Sequence, residues 1–287
     1  MEAVRSVGLA LLWVFWLAAG VGADAGEPEA SYGRGLDLGG QGNFIEAREA
    51  LEQALAAEPF DATASCCLET VQDVLRGKIK PQTGMHLLRA MARGGGGDWQ
   101  SYLVEVGRAL ELDPGYAQAY NHRGNAYIEL GQLEEALGDY DQALKLNPRS
   151  AGTLNNRGIA LRRLGQLDRA LADYNRALEI NPALALAYYN RALVYRQKGK
   201  LELAIMDLDR ALTLNPRYLE ARFNKAMVCE GAGHRREAAE AYKEFLQVAR
   251  PDYESHIQYA RERLRVLEEE RSQGFRQAGV QGVNPSR

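Results

Sequence analysis

Asn156, Asn190 and Asn224 stand 34 residues apart, and Asn121, His122, Asn125 and Asn155 form a polar group just upstream. An amide side chain offers both a donor and an acceptor, so it matches one peptide unit of an extended chain. A row of such groups can hold a polypeptide backbone with little regard to its side chains. Arg162, Arg163 and Arg196 fall in the same stretch and add positive charge, which favours an acidic or carboxylate-ended ligand. An asparagine in such a row can equally satisfy neighbouring backbone, and the spacing alone does not separate the two roles.

Other chemistry has little to stand on. The chain has no Gly-x-Ser-x-Gly elbow, HExxH motif or nucleophile–base constellation, and Gly94–Gly97 lacks the lysine and Ser/Thr of a phosphate-cradling loop. Cys66 and Cys67 are adjacent and Cys229 is far away, so neither a disulfide framework nor a zinc site is implied. We therefore expect no catalysis, no metal and no cofactor. With 35 basic and 38 acidic residues the formal charge is −3, which gives no basic field for nucleic acid.

The elements that position these residues are written in the prolines and glycines. Pro114, Pro148, Pro182 and Pro216 are each 34 residues apart, and Pro251 follows 35 later. Such a period marks a stacked repeat array. With proline at place 32, place 15 is glycine in all six blocks: Gly42, Gly97, Gly131, Gly165, Gly199 and Gly233. Place 8 is always glycine or alanine, and place 24 always large and apolar. Places 4, 7, 8 and 11 form one amphipathic helix, ended by the glycine of place 15, and places 17, 20, 24 and 27 form a second. Proline stops the second helix, and Asn147, Asn181 and Asn215 before it suit the turn. One such hairpin cannot bury its own face, so the units must stack.

The units built like Tyr120-Asn-His-Arg-Gly-Asn-Ala-Tyr, then Leu-Gly-Gln-Leu-Glu-Glu-Ala-Leu and Asn-Pro148, resemble the tetratricopeptide repeat family. The resemblance implies an all-α fold: a right-handed superhelical solenoid of antiparallel helix pairs with a C-terminal capping helix. Blocks 28–61, 83–116 (degenerate), 117–150, 151–184, 185–218 and 219–252 are the expected repeats. In the family, the face of the first helix opposite the core lines a concave groove. That implies a partner site of Asn121, His122, Asn125, Asn155, Asn156, Arg162, Asn190, Arg196 and Asn224, holding an extended protein or peptide segment. The carboxylate clamp of chaperone-binding members wants lysine at place 5, where this chain has asparagine or an aromatic residue in every block but the degenerate one, which has Leu87. Arg123, Arg157 and Arg191 are expected to pair with Asp139, Asp173 or Asp207, and the repeat tyrosines to be core.

The remaining segments depart from the period. Residues 62–82 are an insertion with a helix expected over 64–76, either half a repeat or a functional lid. Residues 253–271 place Ile257, Ala260, Leu264 and Leu267 on one face, as a capping helix would, and 272–287 read as a disordered tail. Residues 1–25 have the order of a bacterial-type secretory signal: Arg5, an apolar and glycine run from Val7 to Val21, then small residues. Cleavage would leave a periplasmic or secreted protein in the cell envelope or beyond; an uncleaved segment would anchor it to the membrane. The alternative function is a self-associating assembly factor that acts through the ends of the solenoid.

Overall fold

The computed structural model describes residues 26–59 and 61–281. Those residues hold fourteen α-helices, one 3₁₀ turn and no strand, so the chain is all-α. The segment expected to be a signal peptide or anchor lies outside them, and among the described residues no helix is long and apolar enough to cross a membrane. The chain divides into two units, Met1–Ala160 and Leu161–Arg287, with the division inside the helix Ala151–Arg163.

The 34-residue unit has a direct physical basis. The four regular blocks each hold a first helix of 13 residues and a second of 14. All six place-15 glycines have φ between +70° and +94°, a region where a β-carbon is penalised. Asn147, Asn181 and Asn215 cap the second helices with φ near −133° and ψ of 86–91°, outside the helical region that a following proline disfavours. Their side-chain oxygens accept from the backbone N–H two residues on, at 3.3, 3.0 and 3.1 Å.

In the first unit, α1 (Gly26–Gln41) pairs with α2 (Phe44–Ala57), α4 (Pro81–Gly95) with α5 (Trp99–Leu112), and α6 (Ala117–Glu129) with α7 (Leu133–Leu146). The insertion forms one helix, α3 (Ala62–Leu75), capped by the Asp61 carboxylate. It packs on α2 and α4 while α4 packs on α1, closing a four-helix cluster around Leu51, Cys67, Val71, Leu87 and Leu88. The inner face of α3 is therefore part of the core. Place 8 shows why small residues recur: a β-carbon on Gly124 would lie 2.6 Å from the Tyr140 ring on α7. Residues 151–163 form α8.

In the second unit, α9 (Leu167–Ile180) packs against α10 (Ala185–Gln197). α10 pairs with α11 (Leu201–Leu214), and α12 (Leu219–Gly231) with α13 (Arg235–Val248). After the turn Pro251–Tyr253, α14 (Glu254–Gln281) covers α13 with Ile257, Ala260 and Leu267 buried against Phe223, Tyr242 and Phe245. The helix runs ten residues past the expected cap, so 272–281 are helical rather than a disordered tail. Gly274 and Gly279 weaken a helix by about 1 kcal/mol each without stopping it, and the next proline is Pro285.

Candidate functional site

The first unit brings its amides together. Asn156 Nδ2 on α8 donates to Asn121 Oδ1 and Asn125 Oδ1 on α6, at 3.1 and 3.0 Å. Asn125 Oδ1 also accepts from the Tyr140 hydroxyl at 2.8 Å, and Asn155 Nδ2 donates to Asn156 Oδ1 at 3.3 Å. Asn121, Asn125 and Asn156 are half-buried, whereas Asn155 and His122 are buried. The amides thus satisfy one another before any ligand arrives, through side-chain contacts and not through neighbouring backbone. The neighbouring arginines are also engaged. Arg123 grips Asp139 through two bonds of 2.8 and 2.7 Å, and Arg157 reaches Asp141 at 2.6 Å.

Helix α3 adds a constraint that the repeat register does not contain. Cys66 Sγ lies 3.5 Å from His122 Nε2, and Cys67 Sγ lies 3.1 Å from Met91 Sδ and 4.0 Å from the Tyr32 hydroxyl. Tyr32, Met91 and His122 occupy places 5, 9 and 6 of their blocks, the side expected to face a partner. The insertion therefore already covers that side over the first three blocks. Its C-terminal end is fixed by the buried Asp73 carboxylate, which accepts from Tyr116 Oη and Lys78 Nζ at 2.9 Å each. Cys66 and His122 are 56 residues apart, and no sequence motif announces their meeting. The pair is not a nucleophile and base: burial pushes the Cys66 thiol up to about 12 and the His122 imidazole down to about 4. Both stay neutral near pH 7, where catalysis would need thiolate.

The second unit holds Arg162, Asn190, Arg196 and Asn224. Asn190 and Asn224 are buried, and Asn224 has a full set of partners. Its Nδ2 donates to the Tyr189 hydroxyl and the Glu220 carbonyl at 3.1 and 2.9 Å, and its Oδ1 accepts from Arg196 at 2.9 Å. Buried Asn190 and Asn224 on α10 and α12 are thus packing residues, not an open lining. The packing of Tyr189 onto Tyr218, with ring centroids 4.9 Å apart, seals this layer.

Arg162 and Arg196 remain. Both occupy place 12, one repeat apart, both are half-buried, and neither forms an ion pair among the described residues. Arg162 Nε is sealed from solvent without an acceptor, as is the hydroxyl of the fully buried Tyr174. Burial raises the Tyr174 phenol and the Arg162 charge partly offsets this. Burial lowers Arg196, and the like charge of Arg162 lowers it further. Arg191, by contrast, is paired with Asp207 at 2.8 and 2.7 Å. Among the described residues no three His, Cys, Asp or Glu side chains are grouped to hold a metal ion.

Residues 124–165 and 158–195 match a family model described as TPR repeat, and 185–218, 107–138 and 32–65 match models described as tetratricopeptide repeat. Together these segments span about half the chain. No curated protein matches it significantly. Among solved structures it is similar to PilW, a widely conserved type IV pilus biogenesis factor, at 24% identity and TM-score 0.57, over 70% of this chain and 95% of that one. It is similar to a thermophilic TPR protein of Thermus thermophilus at 25% identity and TM-score 0.54, over 62% and 97%. MamA of Desulfovibrio magneticus RS-1 follows at 20% identity and TM-score 0.51, over 58% and 94%.

Proposed function

The chain belongs to the tetratricopeptide repeat family, and we propose that it is a non-catalytic scaffold that holds a protein segment against the first helices of its second unit. The single observation that carries this is the Arg162–Arg196 pair. Two half-buried guanidiniums at equivalent places lack a carboxylate, while the fold uses its other polar groups on that face internally. A partly desolvated cation without a counter-charge is costly to a fold and useful to a binding site. The apolar run Val7–Val21 supports export of the protein to the cell envelope.

The test is photo-crosslinking in cells. A benzophenone amino acid in place of the exposed Gln197, at the end of α10, should capture a partner; the same group in place of the exposed Met206 on α11 should not. Equal capture at both places, or capture of a second copy of this chain only, would overturn the reading. A fusion of residues 1–25 to a reporter active only outside the cytoplasm tests export separately.

A further inference from the structure

Three repeats carry tyrosine at place 24, and their hydroxyls differ in what they meet. Tyr140 donates to Asn125 at 2.8 Å in the first unit, and Tyr242 donates to Glu230 Oε2 at 2.9 Å in the second. Tyr174 meets a guanidinium instead, because the chain has Ile159 in the place of Asn125 and Arg162 in the place of Glu230. A guanidinium has only donors, so it cannot receive the phenol proton. Tyr174 Oη, Arg162 Nε and the second cation, Arg196, thus all lack an anionic acceptor. The chain fills the equivalent gap once with its own side chain. The Glu230 carboxylate accepts from Tyr242 on one oxygen and from Arg263 on the other. That is a tyrosine and an arginine converging on one carboxylate.

We infer that Arg162, Arg196 and the Tyr174 hydroxyl form a binding site for one carboxylate of the partner segment, the group that Glu230 supplies internally two repeats on. The inference rests on the scaffold reading above and names the ligand chemistry of that site. Arg196 is held for this role by Asn224, whose amide is fixed in turn by Tyr189 and the Glu220 carbonyl. Two cations with a phenolic donor suit a charge-assisted, multidentate grip on a carboxylate.

Two labelled probes test it on the full chain. One is an acetylated, amidated glutamate–glycine peptide, whose carboxylates are all on side chains. The other is an acetylated glutamine–glycine peptide with a free carboxyl terminus. Binding of either supports the site and tells which kind of carboxylate it takes; binding of neither overturns it. The double variant R162Q/R196Q should weaken binding at least tenfold, and Tyr174→Phe severalfold without lowering the melting temperature. R210Q/R236Q, which removes the same charge from exposed places, should leave binding within twofold. An equal loss in both double variants would overturn a specific site. Arg162→Glu should reproduce the Glu230 arrangement, raising the melting temperature while abolishing peptide binding; a lower melting temperature would contradict the missing acceptor. If R162Q/R196Q still crosslinks its partner at position 197 as strongly as the wild type, the carboxylate site fails and the scaffold reading stands.

Discussion

His122 Nε2 lies 3.5 Å from Cys66 Sγ, so an imidazole on α6 is closed under the inserted helix α3. Burial holds that imidazole down to about 4, against about 6.5 in an unfolded chain. Below about pH 6.5 the unfolded state takes a proton that folded His122 refuses until about pH 4. Stability should therefore be level above pH 7 and fall as pH drops from 6.5 toward 4, by up to ~3 kcal/mol from this residue. Urea unfolding at pH 7.5, 6 and 5 measures the slope. His122→Gln should flatten most of it over pH 7.5–5, and an unchanged slope in that variant would remove His122 as the cause.

The Arg191–Asp207 pair joins α10 to α11, with both side chains mostly buried. Removing one member leaves the other partly desolvated, so Asp207→Ala should cost about 3 kcal/mol. The Lys198–Asp168 pair of the same unit has Asp168 exposed to solvent. Asp168→Ala should be silent, because water and salt already screen it. Urea midpoints of the two variants at one salt concentration compare them directly. Equal effects would mean that the α10–α11 pair is no more buried than the surface one.

Helix α14 places Ile257, Ala260 and Leu267 over Phe223, Tyr242 and Phe245, and Arg263 over the Glu230 carboxylate. A chain ending at residue 253 should expose that aromatic layer and aggregate, seen as oligomers by light scattering. A chain ending at residue 270 keeps all of these contacts and should stay monodisperse. If the shorter chain is equally monodisperse and stable, α14 is no cap.

The repeat register was legible because each of its rules is local. A glycine at φ near +74° and an asparagine before proline need only their own neighbours, and so Gly131, Gly165, Asn147 and Asn181 announced the helix ends. The site was less legible because it depends on what packs across the register. Asn224 has the periodicity of a groove residue, but its neighbours Tyr189 and Arg196 absorb its amide. Nothing in residues 62–82 tells that α3 turns onto Tyr32, Met91 and His122, since those contacts span up to 56 residues. The missing acceptor at Tyr174 was in the sequence, as Ile159 and Arg162 at places 9 and 12. It becomes informative only once Tyr140 and Tyr242 show what a tyrosine at place 24 needs.

Asn156 and Arg162 lie on one helix yet should fail in opposite ways. The Asn156 amide is committed to Asn121 and Asn125, and Asn125 is shared with Tyr140. Asn156→Ala strips two half-buried acceptors of a donor and should cost about 1–2 kcal/mol of stability. Once folded, however, it should crosslink its partner at position 197 as well as the wild type does. Arg162→Gln relieves a buried donor that has no acceptor, so it should melt no lower than the wild type and capture far less. Urea unfolding and crosslinking yield, measured on both variants at a temperature where each is folded, separate the two roles. Loss of capture by Asn156→Ala with full stability would return the amides to the binding site.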